Sequence, residues 1–294
     1  MNIMIFAAGL GTRLKPLTDI VPKALVPVCG KPLLQRVLER VDGSGNTIVI
    51  NVHHHADQIV NYINTTKAHW QADIRISDES DMLLETGGGL KKAAKLFPGY
   101  TASDKTQLLP SHTASNEAQL LPGYTASNKA QLLPIHTASY KTTDASNAEA
   151  QPILIHNVDI ISNVNLDDLY AKAADTDATL LVSERKTQRY LLFDNDMRLV
   201  GWTNIATGEV RSPYPNLCVA DCKMYAFSGI HVISRSLISA METWPEKFPI
   251  IDFYLNVCAS HDIRGIVQTN LQLLDVGKLD TLDSASSFLA SIKE

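Results

Sequence analysis

The sequence predicts an α/β fold of the Rossmann-like kind, in which a mostly parallel sheet is flanked by helices. The chain opens with an apolar run at residues 3–8, which has the length of a buried strand and is followed at once by Gly9 and Gly11. Further strand-length apolar runs, at 47–52 and 73–77, alternate with segments of helical spacing. This alternation is typical of a parallel sheet. The chain has 294 residues and is 45% hydrophobic, which is enough for one large core.

The remaining elements continue the alternation. Apolar residues at helical spacing between Pro32 and Gly43 predict the first helix, and a second, short helix is expected to end near Ile63. The sequence Asp194-Asn195-Asp196 predicts the turn of a hairpin. Further strands are expected at 152–156, 178–182, 190–193, 199–202, 225–232 and 263–268, and further helices at 90–96, 166–173, 250–257 and 279–292.

Composition and charge exclude several classes of protein. The net charge is −5 and the isoelectric point is about 6.0, so non-specific binding to nucleic acid is not expected. The first apolar run has no basic residues before it and is too short for a signal peptide. No stretch approaches the roughly 20 apolar residues of a membrane span. We therefore expect a cytoplasmic protein that does not bind membranes, and the sequence does not indicate its oligomeric state.

Residues 96–143 are a tandem repeat. They contain four copies of a 12-residue unit in which Thr-Ala-Ser recurs at the same place. This period is far below the roughly 20–50 residues of solenoid repeats, and each unit has too few apolar residues to bury a core. We expect one domain over residues 1–294, into which residues 96–150 are inserted as a flexible or loosely packed surface segment. The alternative is an arm for partner binding or self-association.

The loop after the first strand has the features of a phosphate site. Ligands of open α/β sheets bind at the carboxyl ends of the strands, and glycines let backbone N–H groups approach phosphate oxygens. Arg13 adds a forked donor and Lys23 a point charge. The spacing Gly9-x-Gly11-x-x-Leu14 lacks the third glycine of a dinucleotide fingerprint, and the loop has no Gly-Lys-Ser/Thr of a P-loop. The alternative is a glycine turn with solvated basic residues.

The longer string around this loop is G-L-G-T-R-L-x-P-L-T-x-x-x-P-K-A-L-x-P-V-x-G-K-P. It resembles the signature of the sugar-nucleotide pyrophosphorylases, which are nucleotidyltransferases acting on sugar 1-phosphates, and the match covers the first 33 residues. The resemblance extends over about 1–95 and 152–285. It implies the nucleotide-diphospho-sugar transferase fold, with Arg13 and Lys23 as catalytic residues. The implied nucleotide-binding residues of this loop are Ala8, Gly9, Gly11, Thr12, Arg13 and Lys23.

A second glycine-rich stretch, Glu85-Thr86-Gly87-Gly88-Gly89, precedes a predicted helix. A glycine loop at a helix N-terminus is a site where an anion or a base can approach the backbone. The segment LLETGGGLKKA resembles the second nucleotide loop of the family, which implies that Glu85, Thr86 and Gly87 help to hold the base and ribose. Its L-E-T-G-G-G form resembles the muramic-acid 1-phosphate uridylyltransferase branch. The alternative is a plain N-cap by Thr86 with flexible glycines.

Two acidic residues are candidate metal ligands. Asp159 lies in Asn157-Val158-Asp159, just past a predicted buried strand, and a carboxylate at that place is a suitable Mg²⁺ ligand. The family has an Asn-x-Asp there whose Asp binds the metal, although Val158 stands where glycine is frequent. Asp275, in Leu-Asp-Val-Gly, resembles the second ligand in the family's W-x-D-V-G segment, although Lys278 stands where threonine is common. The alternative for both carboxylates is a capping role.

The resemblance also implies contacts with the sugar phosphate. Asn157 belongs to the Asn-x-Asp motif, and Gly229 belongs to YAFSGIHV, which is similar to the family's F-S-G-I element. A bulge glycine is the alternative for Gly229. The histidines at 53–55 are interpreted as polar lining, and the pair Cys218 and Cys222 as free thiols, because no matching ligands accompany either group.

Together these features indicate a nucleotidyltransferase that uses Mg²⁺. A sugar 1-phosphate supplies the nucleophile and an NTP the nucleotidyl group, so the protein needs to provide positioning and charge rather than a nucleophile of its own. Uridylyl transfer to a muramic-type 1-phosphate is favoured by the L-E-T-G-G-G form. The alternatives are a mannose 1-phosphate guanylyltransferase, a choline-phosphate-type cytidylyltransferase and a non-catalytic nucleotide-sugar-binding subunit.

Overall fold

A computed structural model describes residues 1–100 and 151–292. In this part of the chain a mixed central sheet is covered by helices on both faces. The strands are β1 (Asn2–Phe6), β2 (Pro27–Val28), β3 (Lys31–Pro32), β4 (Thr47–Val52), β5 (Asp73–Asp78), β6 (Ile153–Asn157), β7 (Ile160–Ser162), β8 (Ala178–Ser183), β9 (Arg189–Phe193), β10 (Leu199–Asn204), β11 (Glu209–Arg211), β12 (Lys223–Ile233), β13 (Ile263–Val267) and β14 (Leu273–Asp275). The helices are α1 (Leu33–Val41), α2 (Ala56–Thr66), α3 (Glu85–Ala94), α4 (Leu166–Lys172), α5 (Arg235–Ser239), α6 (Ile250–Val257) and α7 (Leu279–Ser291).

The parallel part of the sheet has the order β6-β1-β4-β5. In it β1 pairs in parallel with both β4 and β6, and β4 pairs in parallel with β5. The carboxyl ends of these strands therefore meet at one edge, which is where ligands of open α/β sheets bind. The expected α/β class is confirmed.

The other part of the sheet is antiparallel. The long strand β12 runs antiparallel to β6, β8 and β9, and the expected hairpin is present as β9 and β10. The register of β12 against β8 shifts between Phe227 and His231. Gly229 lies within that shift and has φ +73°. A bulge of this kind bends a strand and redirects its side chains.

Alternate residues of the strands enter two separate cores, as the two-residue period of a strand requires. Ile3 and Ile5 pack with α1, α2, α4 and α7 on one face of the sheet. Met4 points to the other face and packs with α3, α5 and α6. Each fully buried aliphatic side chain contributes about 1.5–3 kcal/mol to the free energy of folding. Both layers of helices therefore stabilise the sheet and the position of its edge.

The beginning of the repeat segment differs from the expectation. Phe97 is 3% exposed and packs into the second core, and the Tyr100 hydroxyl donates to Glu242 Oε1 at 2.6 Å. Residues 96–100 therefore belong to the folded body, because their aromatic side chains find apolar and polar partners there. The expectation of a flexible or loosely packed insertion over 101–150 falls outside the described residues, and the single-domain organisation stays a prediction.

The described ends of this segment lie close together. The Arg235 guanidinium donates to the carbonyl oxygen of Pro98 from Nη2, at 2.5 Å, and to that of Gln151 from Nε, at 3.2 Å. One side chain at the start of α5 thus ties the point where the chain leaves the body to the point where it returns. Across residues 1–100 and 151–292, no helix has both the length and the apolar character needed to cross a membrane.

Candidate active site

The first glycine loop leaves β1 at the carboxyl edge of the sheet. Gly11 has φ +64°, a left-handed conformation that favours glycine. A Cβ atom at Gly11 would lie 2.7 Å from Thr18 Cγ2, and the Thr18 hydroxyl donates to the Gly11 carbonyl at 2.8 Å. Gly9 is exposed, with no atom within 4 Å of where its Cβ would be. The loop is closed around Thr18 and open to solvent at Gly9.

The backbone amides of this loop fall into two groups. Those of Ala7 and Ala8 donate to Asn51 Oδ1, at 2.8 and 3.3 Å. Among the described residues, those of Gly9 and Gly11 have no hydrogen-bond partner. The amides from Gly9 onward are therefore the ones that can donate to phosphate oxygens, whereas that of Ala8 is directed into the protein.

Lys23 and Asp159 form an ion pair beside this loop. Lys23 Nζ donates to Asp159 Oδ2, and the two side chains are only 11% and 17% exposed. Lys23 begins a short 3₁₀ turn at Lys23–Leu25, and its Cβ lies 3.3 Å from the Cβ position of Gly11. The structure thus joins the first loop to the Asn-x-Asp motif across 136 positions of sequence.

Asp275 comes next to Asp159 through a short antiparallel pair. Strand β14 pairs with β7, and the Val276 amide donates to the Asp159 carbonyl at 2.8 Å. Asp275 Oδ1 is buried without a hydrogen-bond partner among the described residues. Burial, and then the neighbouring Asp159 carboxylate, raise the pKa of Asp275, whereas Lys23, Arg13 and Arg185 act in the opposite direction.

Arg13 reaches the same place from the first loop. A Cβ atom at the buried Gly277 would lie 2.7 Å from both Arg13 Nη2 and Asp275 Oδ1. The absence of a side chain at Gly277 therefore leaves room for a guanidinium and a carboxylate side by side. Arg13, Lys23, Asp159 and Asp275 are brought together, as the sequence predicts.

The two carboxylates fit a divalent cation. Mg²⁺ is usually held by one or two carboxylates together with substrate phosphates and water. Asp275 Oδ1 is a buried anionic oxygen without a partner, and such an oxygen is stabilised by a cation. Within the described ranges no cluster of three or more His, Cys, Asp or Glu side chains occurs that could hold a metal ion. The remaining ligands would have to come from the substrate and from water.

The expected sugar-phosphate residues also adjoin each other. A Cβ atom at Gly229 would lie 2.7 Å from Asn157 Nδ2 and 3.3 Å from Ile160 Cγ1. The bulge in β12 thus brings its backbone against the Asn157 amide, so the bulge interpretation and the site interpretation of Gly229 are compatible. Asn157 ends β6, two residues before Asp159.

The second glycine-rich segment is not the expected loop. Gly87, Gly88 and Gly89 are buried in the first turns of α3. The amides of Gly87 and Gly88 donate to the Phe248 carbonyl, at 2.8 and 3.2 Å, and added Cβ atoms would overlap the Phe248 ring and the Glu246 carbonyl. These glycines serve close packing rather than conformational freedom, which corrects the expectation of free amides at this helix start.

Glu85 and Thr86 occupy the entrance to that helix. Glu85 is exposed and has φ +62°. Thr86 Oγ1 accepts a hydrogen bond from the Ile250 amide at 2.9 Å, so it caps α6 rather than its own helix. The positive φ of a glutamate is a strained conformation that the surrounding contacts must maintain. A role of Glu85, Thr86 and Gly87 in holding base and ribose stays a proposal.

The two departures from the family pattern leave the carboxylate pair intact. Val158 is 4% exposed, packs into the first core and donates its amide to the Phe6 carbonyl at 3.1 Å. Its φ is not positive, so the turn there does not require glycine. Lys278 is the exposed N-cap residue of α7.

The histidines and cysteines remain outside this site. His53 Nδ1 lies 2.7 Å from the Glu79 carbonyl and His54 Nε2 lies 3.0 Å from the Thr18 carbonyl, which are hydrogen-bonding roles. Cys218 and Cys222 are free thiols.

Sequence reasoning missed three residues near the site. Asn51 and Glu79 are buried behind the first loop, at 3% and 1% exposure, and Arg185 is one of the cations that lower the pKa of Asp275. Neither Asn51 nor Glu79 belongs to a recognisable motif in the sequence. Only the neighbouring parallel strands β4 and β5 bring Asn51 and Glu79 together.

Comparison with known proteins shows the family of the chain. The family model described as nucleotidyl transferase matches residues 2–190, which is more than half of the chain. The chain belongs to the nucleotidyl transferase family. The match includes Arg13, Lys23 and Asp159, and it confirms the resemblance that the first loop indicates.

Curated relatives match about a third of the chain. The N-acetylmuramate alpha-1-phosphate uridylyltransferase of Caulobacter vibrioides is 50% identical over 95 residues, 32% of this chain and 39% of that protein. The enzyme of the same name from Neisseria meningitidis is 42% identical over 100 residues, 34% of this chain and 43% of that protein. The mannose-1-phosphate guanyltransferase of Hypocrea jecorina is 34% identical over 97 residues, 33% of this chain and 26% of that protein. The chain thus spans less than half the length of these relatives.

Solved structures resemble this chain over nearly its whole length. HddC from Yersinia pseudotuberculosis, complexed with GMP-PN, has a TM-score of 0.62 at 19% identity and covers 98% of this chain and 99% of its own. A putative glucose-1-phosphate thymidylyltransferase from Bacillus anthracis has a TM-score of 0.67 at 13% identity, covering 100% of this chain and 97% of its own. At these identities the likeness confirms the fold.

Proposed function

We propose that this protein transfers a nucleotidyl group from an NTP to a sugar 1-phosphate and releases pyrophosphate. The observation that carries the proposal is the convergence of Arg13, Lys23, Asp159 and Asp275 beside the open amides of the Gly9–Gly11 loop. These groups can bind phosphate oxygens and balance the charge that develops during phosphoryl-type transfer. Membership of the nucleotidyl transferase family supports the same activity.

In the proposed reaction a phosphate oxygen of the sugar 1-phosphate forms a bond to the α-phosphorus of the NTP. The bond from that phosphorus to the oxygen of the leaving pyrophosphate breaks. The loop amides and Lys23 hold the triphosphate, and the guanidinium of Arg13 stabilises the charge on the departing pyrophosphate. Asn157 and the backbone at Gly229 orient the incoming phosphate, because they lie together at the end of β6.

Asp159 and Asp275 are the proposed ligands of a Mg²⁺ ion. When bound, such an ion would orient the α-phosphate and neutralise its charge. The unpartnered Oδ1 of Asp275 and its raised pKa support this assignment, because both indicate an oxygen that is poorly stabilised without a cation.

The relatives favour particular choices of nucleotide and sugar as the substrates. The 50% identity to a uridylyltransferase over 95 residues, with the L-E-T-G-G-G segment, favours uridylyl transfer to an N-acetylmuramate-type 1-phosphate. A second candidate is guanylyl transfer to mannose 1-phosphate, which the relative from Hypocrea jecorina favours. Free thiols and a nucleoside triphosphate substrate favour a cytoplasmic location.

The deciding experiment measures pyrophosphate release from each of the four NTPs with a panel of sugar 1-phosphates and Mg²⁺. We expect the highest kcat/KM with UTP and N-acetylmuramate 1-phosphate. Highest activity with GTP and mannose 1-phosphate would establish the second candidate. No pyrophosphate release from any pair would refute the enzymatic proposal and favour a binding subunit.

Arg13→Ala supplies the test of mechanism. Removing one preorganised charge typically costs about 10²–10³ in rate, so a loss of that size is expected. Arg264→Ala is a matched control, because Arg264 pairs with Asp262 on the surface at 2.9 Å and should leave turnover unchanged. Unaltered pyrophosphate release by Arg13→Ala would remove the assigned role.

A further inference from the structure

Behind the first loop lies a buried polar pair that contacts no substrate in the proposed reaction. Asn51 is 3% exposed and lies in β4, and Glu79 is 1% exposed and follows β5. Asn51 Nδ2 donates to Glu79 Oε1 at 2.7 Å. A carboxylate and an amide at such burial are costly unless all their atoms are satisfied, so this pair needs a reason beyond filling space.

The Asn51 end of the pair holds the first loop. Its Oδ1 accepts both the Ala7 and the Ala8 amide, which immediately precede Gly9. A single acceptor thus fixes two successive peptide units where the chain leaves β1. The direction of the amides from Gly9 onward depends on these two bonds.

The Glu79 end holds the entrance of α3. Its Oε2 accepts the Leu84 amide at 3.0 Å, and Leu84 directly precedes Glu85, the residue with φ +62°. A Cβ atom at Gly89 would lie 2.7 Å from Glu79 Oε1 and 3.1 Å from Asn51 Nδ2. The glycine therefore lets the helix approach the pair closely.

These hydrogen bonds form one continuous network. It runs from the Ala7 and Ala8 amides, through Asn51 and Glu79, to the Leu84 amide. Both ends of that network are segments proposed to bind the nucleotide. We propose that Asn51 and Glu79 are positioning residues that set the distance between the triphosphate loop and the base-side segment at Glu85. This inference rests on the proposed function, because it assumes that a nucleotide spans the two segments.

The hydrogen-bond pattern provides a sharp test. In Asn51→Asp, a carboxylate oxygen of residue 51 faces Glu79 Oε1, so two acceptors oppose each other. In Glu79→Gln, the amide cannot accept from both Asn51 and Leu84, so two donors oppose each other. The double variant N51D/E79Q restores every bond: the aspartate accepts from the loop amides and from the glutamine, and the glutamine oxygen accepts from Leu84.

The double variant also keeps the net charge of the wild type, because the negative charge moves from residue 79 to residue 51. We expect each single variant to raise the dissociation constant and the KM for UTP by about tenfold. The KM for the sugar 1-phosphate should change little, and the double variant should recover most of the UTP affinity. UTP binding is measured by titration calorimetry at a temperature where each variant is folded.

Thr179→Val is the matched control. Thr179 is 1% exposed and shares a hydrogen bond with the Thr176 hydroxyl at 2.7 Å on β8, so its loss should lower Tm without affecting UTP binding. Single variants that lose Tm but bind UTP like the wild type would overturn the inference, as would a double variant that fails to recover. If the wild type binds no NTP, the proposed function itself is refuted, and this inference with it.

Discussion

Lys23 Nζ donates a hydrogen bond to Oδ2 of Asp159. The ammonium thus covers the carboxylate oxygen that a metal ion would need. Both side chains are more than four-fifths buried, so their interaction is weakly screened by salt. Phosphates entering beside Lys23 would offer the ammonium another anion, which links nucleotide binding to the exposure of Asp159.

Replacing Lys23 with methionine removes that competition. We expect Lys23→Met to bind Mn²⁺ more tightly than the wild type when no nucleotide is present, because the carboxylates lose their bound cation. We also expect pyrophosphate release to fall by about 10²–10³. Electron paramagnetic resonance of free Mn²⁺ measures the first effect. Lys172→Met, at an exposed lysine paired with Asp168, is the control, and equal Mn²⁺ binding by all three proteins would contradict the expectation.

Asparagine at position 275 should separate activity from stability. The raised pKa of Asp275 means that its charged form destabilises the folded protein when no cation is bound. Asp275→Asn should therefore raise the Tm of the metal-free protein by a few degrees, where about 1 kcal/mol corresponds to about 2–4 °C at this size. Metal-dependent turnover should fall by about 10²–10³. Scanning calorimetry with chelator measures the Tm, and a lower Tm would contradict this account.

Two glycines of positive φ permit a matched comparison. Gly229 (φ +73°) lies against Asn157, whereas Gly208 (φ +75°) has no atom within 4 Å of its Cβ position. Alanine at either site should cost about 1–2 kcal/mol of stability through backbone strain. Only Gly229→Ala should also raise the KM for the sugar 1-phosphate, because its methyl group displaces the Asn157 amide. A normal KM in Gly229→Ala would place Asn157 and Gly229 outside the substrate site.

Two buried histidines predict acid sensitivity. Burial lowers the pKa of His231 to about 3 and that of His156 to about 4, against about 6.5 when unfolded. Between these values the unfolded chain binds more protons, so the free energy of unfolding falls as the pH falls from about 6.5 towards 4. Each histidine contributes a slope of about 1.4 kcal/mol per pH unit.

Urea unfolding at several pH values measures that slope. His231→Leu should reduce the slope by the contribution of one histidine. The substitution breaks no hydrogen bond, because neither ring nitrogen of His231 has a partner among the described residues. Thr179→Val, which changes a buried polar side chain that does not titrate, should leave the slope unchanged. An unchanged slope in His231→Leu would show that this histidine is protonated equally in both states.

The sequence was sufficient for the cationic loop and the carboxylates, because the loop follows β1, Asp159 follows β6 and Asp275 ends β14. Lys23 and Asp159 are 136 positions apart, yet each lies where the α/β order brings carboxyl ends together. Apolar spacing predicted the bounds of α6, where residues 250–257 agree with the structure, whereas α3 begins at Glu85 rather than at the expected Leu90.

The sequence was insufficient where one residue type has two physical uses. Glycines at 87–89 indicate either backbone freedom or close packing, and only the position of Phe248 decides between them. Asn51 and Glu79 are polar residues of ordinary appearance whose burial depends on the pairing of β4 with β5. The pair β7 and β14 was missed because strands of three residues leave too short a pattern.

The two hydrogen bonds of Arg235 bear on how long the tandem repeat can be. The carbonyl groups of Pro98 and Gln151 both accept hydrogen bonds from this guanidinium. The two points between which the repeats are inserted are therefore held together, whatever the number of residues between them. The entropy cost of closing any flexible loop grows only with the logarithm of its length, by about 0.2 kcal/mol when 12 residues are added to about 50. The number of 12-residue copies can therefore differ without a change in either hydrogen bond of Arg235.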